Sequence, residues 1–136
     1  MNPTKRKYFD QQVEWVLARL PQNVLRLLLE TPLHVEDQPS KRLMRTLEIE
    51  YPEELCGYFT GTPKGEGNVI AHLIGTDSPI LTSITIFRRG IIAASKDEWN
   101  KIRRSELREQ IRVTILHELA HQHGMDDEEL EEIGYG

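Results

Sequence analysis

Cysteine is almost missing from this sequence. Cys56 stands alone among 136 residues, so no internal disulfide can form, and a reducing compartment is expected. Long apolar runs are missing too: "LRLLL" at 25–29 is far shorter than the roughly 20 residues that cross a bilayer, which excludes a membrane span on sequence grounds. The opening "MNPTKRKYFDQQVEW" carries early basic residues with no apolar run behind them, so no secretory signal is expected and the location is read as cytoplasmic. Positive charge is in deficit, with 17 Lys and Arg against 22 Asp and Glu, for a net −5. Polyanions need a clustered positive face, so composition makes no general case for a nucleic-acid partner. There are no repeats and no low-complexity segments. The length suits one domain over 1–136 with a single modest core.

What is present reads as alternating short elements. Phe9, Val13, Val16, Leu17 and Leu20 recur at helical spacing, giving a first helix that Pro21 ends. A second short helix is expected over Asn23–Glu30 and a strand over Leu33–Glu36. Ser40 is placed to cap a helix carrying Leu43, Met44 and Leu47, closed by Pro52. Strand signals follow at Leu55–Thr60, Val69–Ile74 and Thr82–Arg88, and weakly at Ile91–Ala94, separated by turns such as "GTPKGEGN". From Asp97 a long helix is expected, burying Trp99, Ile102, Leu107, Ile111, Ile115 and Leu116. Helices, a small mostly antiparallel sheet, then helices again indicate an α+β layered fold. The basic residues Lys101, Arg103, Arg104, Arg108 and Arg112 on the long helix alternate with Glu98, Glu106 and Glu109. A solvated face with ion pairs is preferred there over contact with RNA or a peptide carboxylate.

The chemistry concentrates in "ILHELAHQHGMDD" at 115–127. His117 and His121 are four apart on a helix, so their imidazoles project from one face and can share a cation. Glu118 lies about 100° further round, beside such a cation rather than among its ligands. Gly124 can adopt the left-handed conformation that stops the helix, letting the chain return with Asp127 as a third ligand. The pattern is HExxHxxGxxD. HExxH alone would arise in roughly 2% of shuffled chains, and the added glycine and acidic offsets lower this to about one in ten thousand. Asp126 and Glu129 form a capping-box-like pair that leaves Asp127 free; were Asp127 the cap, Glu131 or Asp126 would fill the third position. His123, two residues past His121, points elsewhere.

With "HELAHQHGMDDEELEEIGYG" in view, the sequence resembles the zincin-like metallopeptidase family, described as minimal metalloproteases. "VEDQP" at 35–39, "LCGYFTGTP" at 55–63 and "ITIFRRG" at 84–90 are similar to that family's other recurring segments. The resemblance implies one zinc ion on His117, His121 and Asp127, a catalytic Glu118, and a peptide or protein substrate. It also implies a minimal zincin-like fold: a long active-site helix against a small sheet, with N-terminal helices and a short C-terminal one. Phe59 stands where the family pattern has tyrosine, so no catalytic phenol is assigned there, and with Gly136 as the last residue no downstream methionine turn is expected. Zinc with three protein ligands keeps a position open for water and lowers its pKa from 15.7 to about 7. Two histidines and a carboxylate also suit iron or another divalent metal, but the adjacent glutamate favours zinc. As substrate contacts, Tyr135 is a candidate oxyanion donor, and Arg88 with Arg89, beside an expected edge strand, a candidate for orienting an extended peptide. Two rival functions remain open. One is a metal-dependent hydrolase of a non-peptide substrate such as RNA, marked by arginines gathered round the metal cleft. The other is a metal-binding or regulatory module without turnover.

Overall fold

The computed structural model describes residues 1–61, 82–123 and 128, with the side chains of Gln122 and His123 excepted. The expected strand at Val69–Ile74, Gly124, Asp126, Asp127, Tyr135 and nearly all of the expected terminal helix lie outside the described residues.

Local chemistry sets the first elements. Asn2 accepts from the Lys5 N–H at 2.8 Å and Pro3 occupies the first turn, so α1 starts at once and runs Pro3–Leu17. It closes at Leu17, and Pro21 opens α2 (Gln22–Glu30) rather than ending α1. Strand β1 is Leu33–Glu36, as expected. Ser40 Oγ accepts from the Leu43 N–H at 3.1 Å and caps α3 (Lys41–Leu47). The helix is stopped by Glu48 at φ 57° with Ile49 N–H donating to the Met44 carbonyl, well before Pro52. Glu54 then accepts from the backbone N–H groups of Glu50 and Tyr51 and holds a 3₁₀ turn at Pro52–Glu54.

Strands β2 (Gly57–Thr60) and β3 (Ser83–Phe87) complete a three-stranded sheet of order β1-β3-β2 among the described residues. It is mixed: β1 pairs with β3 in parallel and β2 pairs with it antiparallel. The register Val35–Ile86–Gly57 and Leu33–Ile84–Phe59 sets one face, which turns inward because Ile84 and Ile86 are fully buried. Chain order could not give this sense, because the parallel pair joins strands far apart in sequence.

Two expectations for the second half are overturned. Ile91–Ala94 is not a strand but part of helix α4 (Arg88–Ser95), which follows β3 without a loop. Gly90 permits this, since α4 there lies directly against the Leu55 carbonyl. The long helix, α5, begins at Arg104 rather than Asp97 and runs to His123. Asp97 Oδ1 accepts from both the Trp99 and Lys101 N–H groups at 2.9 Å, which winds the segment into a turn closed by a Lys96–Ile102 bridge. Trp99 is consequently 75% exposed and Ile102 40%, neither in the core.

α5 is the centre of the molecule. Leu107, Ile111, Ile115, Leu116 and Leu119 pack with Phe9, Val13 and Val16 of α1 on one side and with Ile84 and Ile86 of the sheet on the other. No helix among the described residues is long and apolar enough to cross a membrane.

A four-member ionic network ties the rim. The Arg88 guanidinium donates to Asp10 through Nε and Nη2, both at 3.0 Å, and to Asp37 through Nη1 at 2.9 Å. Arg6 donates to Asp37 as well, at 2.6 Å from Nη2. Hydrogen bonding from Arg6, joined by Arg88, holds the Asp37 carboxyl below the ordinary carboxylate range against the opposing effect of its partial burial. A folded-state pKa below the unfolded one gives stability that is present above the unfolded value and lost as pH falls through the folded one. Wild-type protein should therefore lose stability progressively below about pH 4. Asp37→Asn should be less stable at pH 7 and show a flatter acid limb, read by urea denaturation at stepped pH.

Candidate metal centre

Helix α5 brings the three motif residues together. Ligand atoms of His117, Glu118 and His121 all lie within 4.8 Å of one another, with the two histidines exposed and the glutamate buried. The imidazole rings stand 4.4 Å apart between centroids, tilted by 59°. That is what four-residue spacing on a helix produces: one turn carries the second ring above the first, on the open side of the helix. Two nitrogens bound to one zinc at about 2.0–2.1 Å are roughly 3.3 Å apart, so modest side-chain rotation suffices for the pair to share a cation. The donor set fits a divalent metal of borderline softness. Neutral imidazoles supply two ligands and the helix leaves their outer side open.

Glu118 is a different kind of residue. It is only 7% exposed and lies against the sheet at Gly57, with Oε2 3.7 Å from His121 Nδ1. That separation exceeds a hydrogen bond but keeps the carboxylate within electrostatic reach of the imidazole. Burial pushes the Glu118 carboxyl above the ordinary range, with charge on His121 and His117 pulling the other way. A carboxylate of raised proton affinity beside a candidate cation site has the character of a proton acceptor.

The neighbours of Glu118 come from the start of β2, from the residue before it and from α5 itself, and motif reading missed them. Gly57 faces α5 from the sheet, and Thr114, one turn before Glu118, packs against it. Cys56 lies close enough for the Glu118 charge to raise its thiol pKa further, after burial, which is the larger cause. Both effects favour the thiol over the thiolate, the form that would act as a nucleophile. The segment "LCGYFTGTP" carried the available signal: a glycine within a strand often marks a close approach of another element. Phe59 packs against the core, in keeping with an apolar rather than catalytic side chain there.

The other predicted residues separate into two groups. Asp127 and Tyr135 lie outside the described residues, and so does any test of them as third ligand or oxyanion donor. Arg88 does not stand free beside an edge strand. It follows β3, the central strand, its side chain is 12% exposed, and its fork is committed to Asp10 and Asp37. That engagement makes it a structural tie between α1, the residue that follows β1, and α4. Two basic residues of α5 are similarly occupied. Arg108 lies over the Trp15 ring at 3.7 Å and donates to Gln12, Arg19 lies over the same ring at 3.8 Å, and Arg112 pairs with Glu109 at 2.8 Å. Arg108 is nine residues before His117, about 14 Å along the helix axis.

A helix carrying two imidazoles over a buried glutamate, laid across a small mixed sheet in an α+β fold, defines a zincin-like arrangement. The chain belongs to the zincin-like metallopeptidase family, whose model matches residues 28–136. Helix α1 precedes the matched region yet supplies Phe9, Val13 and Val16 to the packing of α5. No curated protein sequence compared with the chain matches it.

Proposed function

We propose that the chain is a zinc-dependent metallopeptidase that hydrolyses peptide bonds with Glu118 as its general base. The observation that carries the reading is the contrast within the motif: two exposed imidazoles able to share a cation and, between them in sequence, a buried carboxylate within 4.8 Å of both. His117 and His121 would hold one zinc ion, with Asp127 as third ligand on the strength of the HExxHxxGxxD spacing and the family. A zinc ion there supplies Lewis acidity, making a water acidic near neutral pH and polarising the scissile carbonyl. Glu118 takes the proton from the attacking water and passes it to the leaving amine, serving as base and then acid. The substrate class is peptide or protein.

The RNA reading would be favoured by Arg103, Arg104, Arg108 and Arg112 gathering with Arg88 and Arg89 at the metal cleft; of these, Arg88, Arg108 and Arg112 are engaged with partners of the same chain, which weighs against it. Hydrolysis of fluorescein-labelled casein by the full chain tests the proposal. Turnover should require one equivalent of zinc, disappear after chelator dialysis and return on zinc addition. Stoichiometric zinc with no turnover on casein or on a diverse peptide mixture would instead leave a metal-binding module.

A further inference from the structure

We propose that Gly57 and Thr114 form a steric seat that fixes the Glu118 side chain, making Gly57 a positioning residue for the proposed reaction. The consequence for turnover rests on the metallopeptidase reading; the geometry does not.

The seat is built from both sides of the helix–sheet contact. Gly57 occupies the inward row of the sheet, in register with the fully buried Ile86, where an apolar side chain would ordinarily fill the space under the helix. Its missing side chain lets α5 settle directly on the strand. A Cβ at that position would meet Thr114 Cγ2 at 2.8 Å and Glu118 Cγ at 3.2 Å, both closer than ordinary contact. Thr114 and Glu118 are four apart, so one face of α5 presents both to the same point of β2. Thr114 is itself locked: its hydroxyl donates to the Gln110 carbonyl at 2.7 Å, which fixes the rotamer and leaves Cγ2 towards the strand.

Packing is what restrains Glu118. Among the described residues no hydrogen bond orients its carboxylate, and the nearest cationic partner, His121 Nδ1, is 3.7 Å away. The space left open over Gly57 is instead where Cγ sits, 3.2 Å from where a Cβ would stand, and the carboxylate is carried from that point through two further torsions. A general base works only from the correct place, and a misplacement of about 1 Å can cost on the order of 100-fold in rate. Glycine at 57 is thus the condition for the position of Glu118, while the histidines, on the exposed side of the helix, are outside its reach.

The test separates folding from positioning by relieving one contact and leaving the other. Thr114→Ser keeps the hydroxyl bond to Gln110 and removes the methyl group, so it is the reference. Gly57→Ala alone meets both contacts and should lower the melting temperature. Gly57→Ala combined with Thr114→Ser removes the 2.8 Å conflict but retains the one at 3.2 Å with Glu118. Relative to Thr114→Ser, the double variant should recover its melting temperature while kcat on labelled casein stays about 10-fold or more lower. KM and zinc affinity, measured by chelator competition, should not change, because neither imidazole is touched. In crystals of the double variant Glu118 Cγ should move out to ordinary contact with the new methyl group, 3.4 Å or beyond. Recovery of kcat together with melting temperature, or an unmoved Glu118 in the crystal, would overturn the seat. If the wild-type chain hydrolyses nothing, the peptidase reading fails separately, and the crystallographic displacement alone decides whether the seat exists.

Discussion

Gly90→Ala should destabilise the protein by about 3 kcal/mol or more, a large part of the 5–15 kcal/mol that holds a domain of this size together. Helix propensity argues the opposite sign. Gly90 lies inside α4, where alanine is ordinarily better by about 1 kcal/mol. Packing wins because the added Cβ would overlap the Leu55 carbonyl oxygen, lie 2.5 Å from its carbon and reach within 3.0 Å of Cys56 Cα. These are backbone atoms, so no side chain can turn aside. Nor can the backbone yield cheaply: Cys56 accepts from the Phe87 N–H at 2.8 Å, and this bond anchors β2 to the start of α4. The variant would have to push α4 off the strand entry and with it the floor beneath Glu118. Urea denaturation followed by circular dichroism gives the number; a stability equal to or above wild type would show that α4 does not pack as described.

Glu118→Gln should abolish most turnover while leaving the fold and the metal in place. General acid–base catalysis contributes typically 100- to 10,000-fold, so kcat on labelled casein should fall by that order. The substitution is nearly isosteric and keeps the stem in the Gly57–Thr114 seat, so geometry is not what is lost. Zinc stoichiometry should remain at one, because the imidazoles are unaltered. Stability adds a second, independent readout in the metal-free protein. Burial raises the folded-state pKa of Glu118, so folding favours the protonated form. By linkage this stability is fully present below the unfolded pKa and lost as pH rises through the folded one. Metal-free wild type therefore carries a penalty at neutral pH that the amide does not, and Glu118→Gln should melt at the same temperature or higher. Retained turnover would assign the proton transfer to another group.

The parts of this molecule that were legible in sequence are those governed by local spacing. His117 and His121 share a face because 3.6 residues make a turn, whatever surrounds the helix. The Phe9-to-Leu20 stripe, the Ser40 cap and β1 follow similarly from periodicity and capping. The errors fall where tertiary contact or turn chemistry decided. Ile91 and Ile92 have the branched side chains of a strand, but Gly90 lets this segment coil against Leu55. The long helix was expected from Asp97, whereas the Asp97 carboxylate collects two N–H groups into a turn and leaves Trp99 in solvent. Arg88 looked available for substrate because its partners, Asp10 and Asp37, are 78 and 51 residues away along the chain. Within the site, the imidazoles were legible as chemistry, but Gly57 was not, since a residue without a side chain announces its role only through what it lets approach.

The claim beneath all of this is that His117 and His121 hold one zinc ion beside a buried Glu118. A zinc-edge anomalous difference map from crystals grown with one equivalent of the metal addresses it directly. The account predicts a single strong peak about 2.0–2.1 Å from a nitrogen of each ring, with Glu118 still tucked against Gly57. A peak elsewhere on the molecule, or rings with no peak between them at full zinc occupancy in solution, would contradict it.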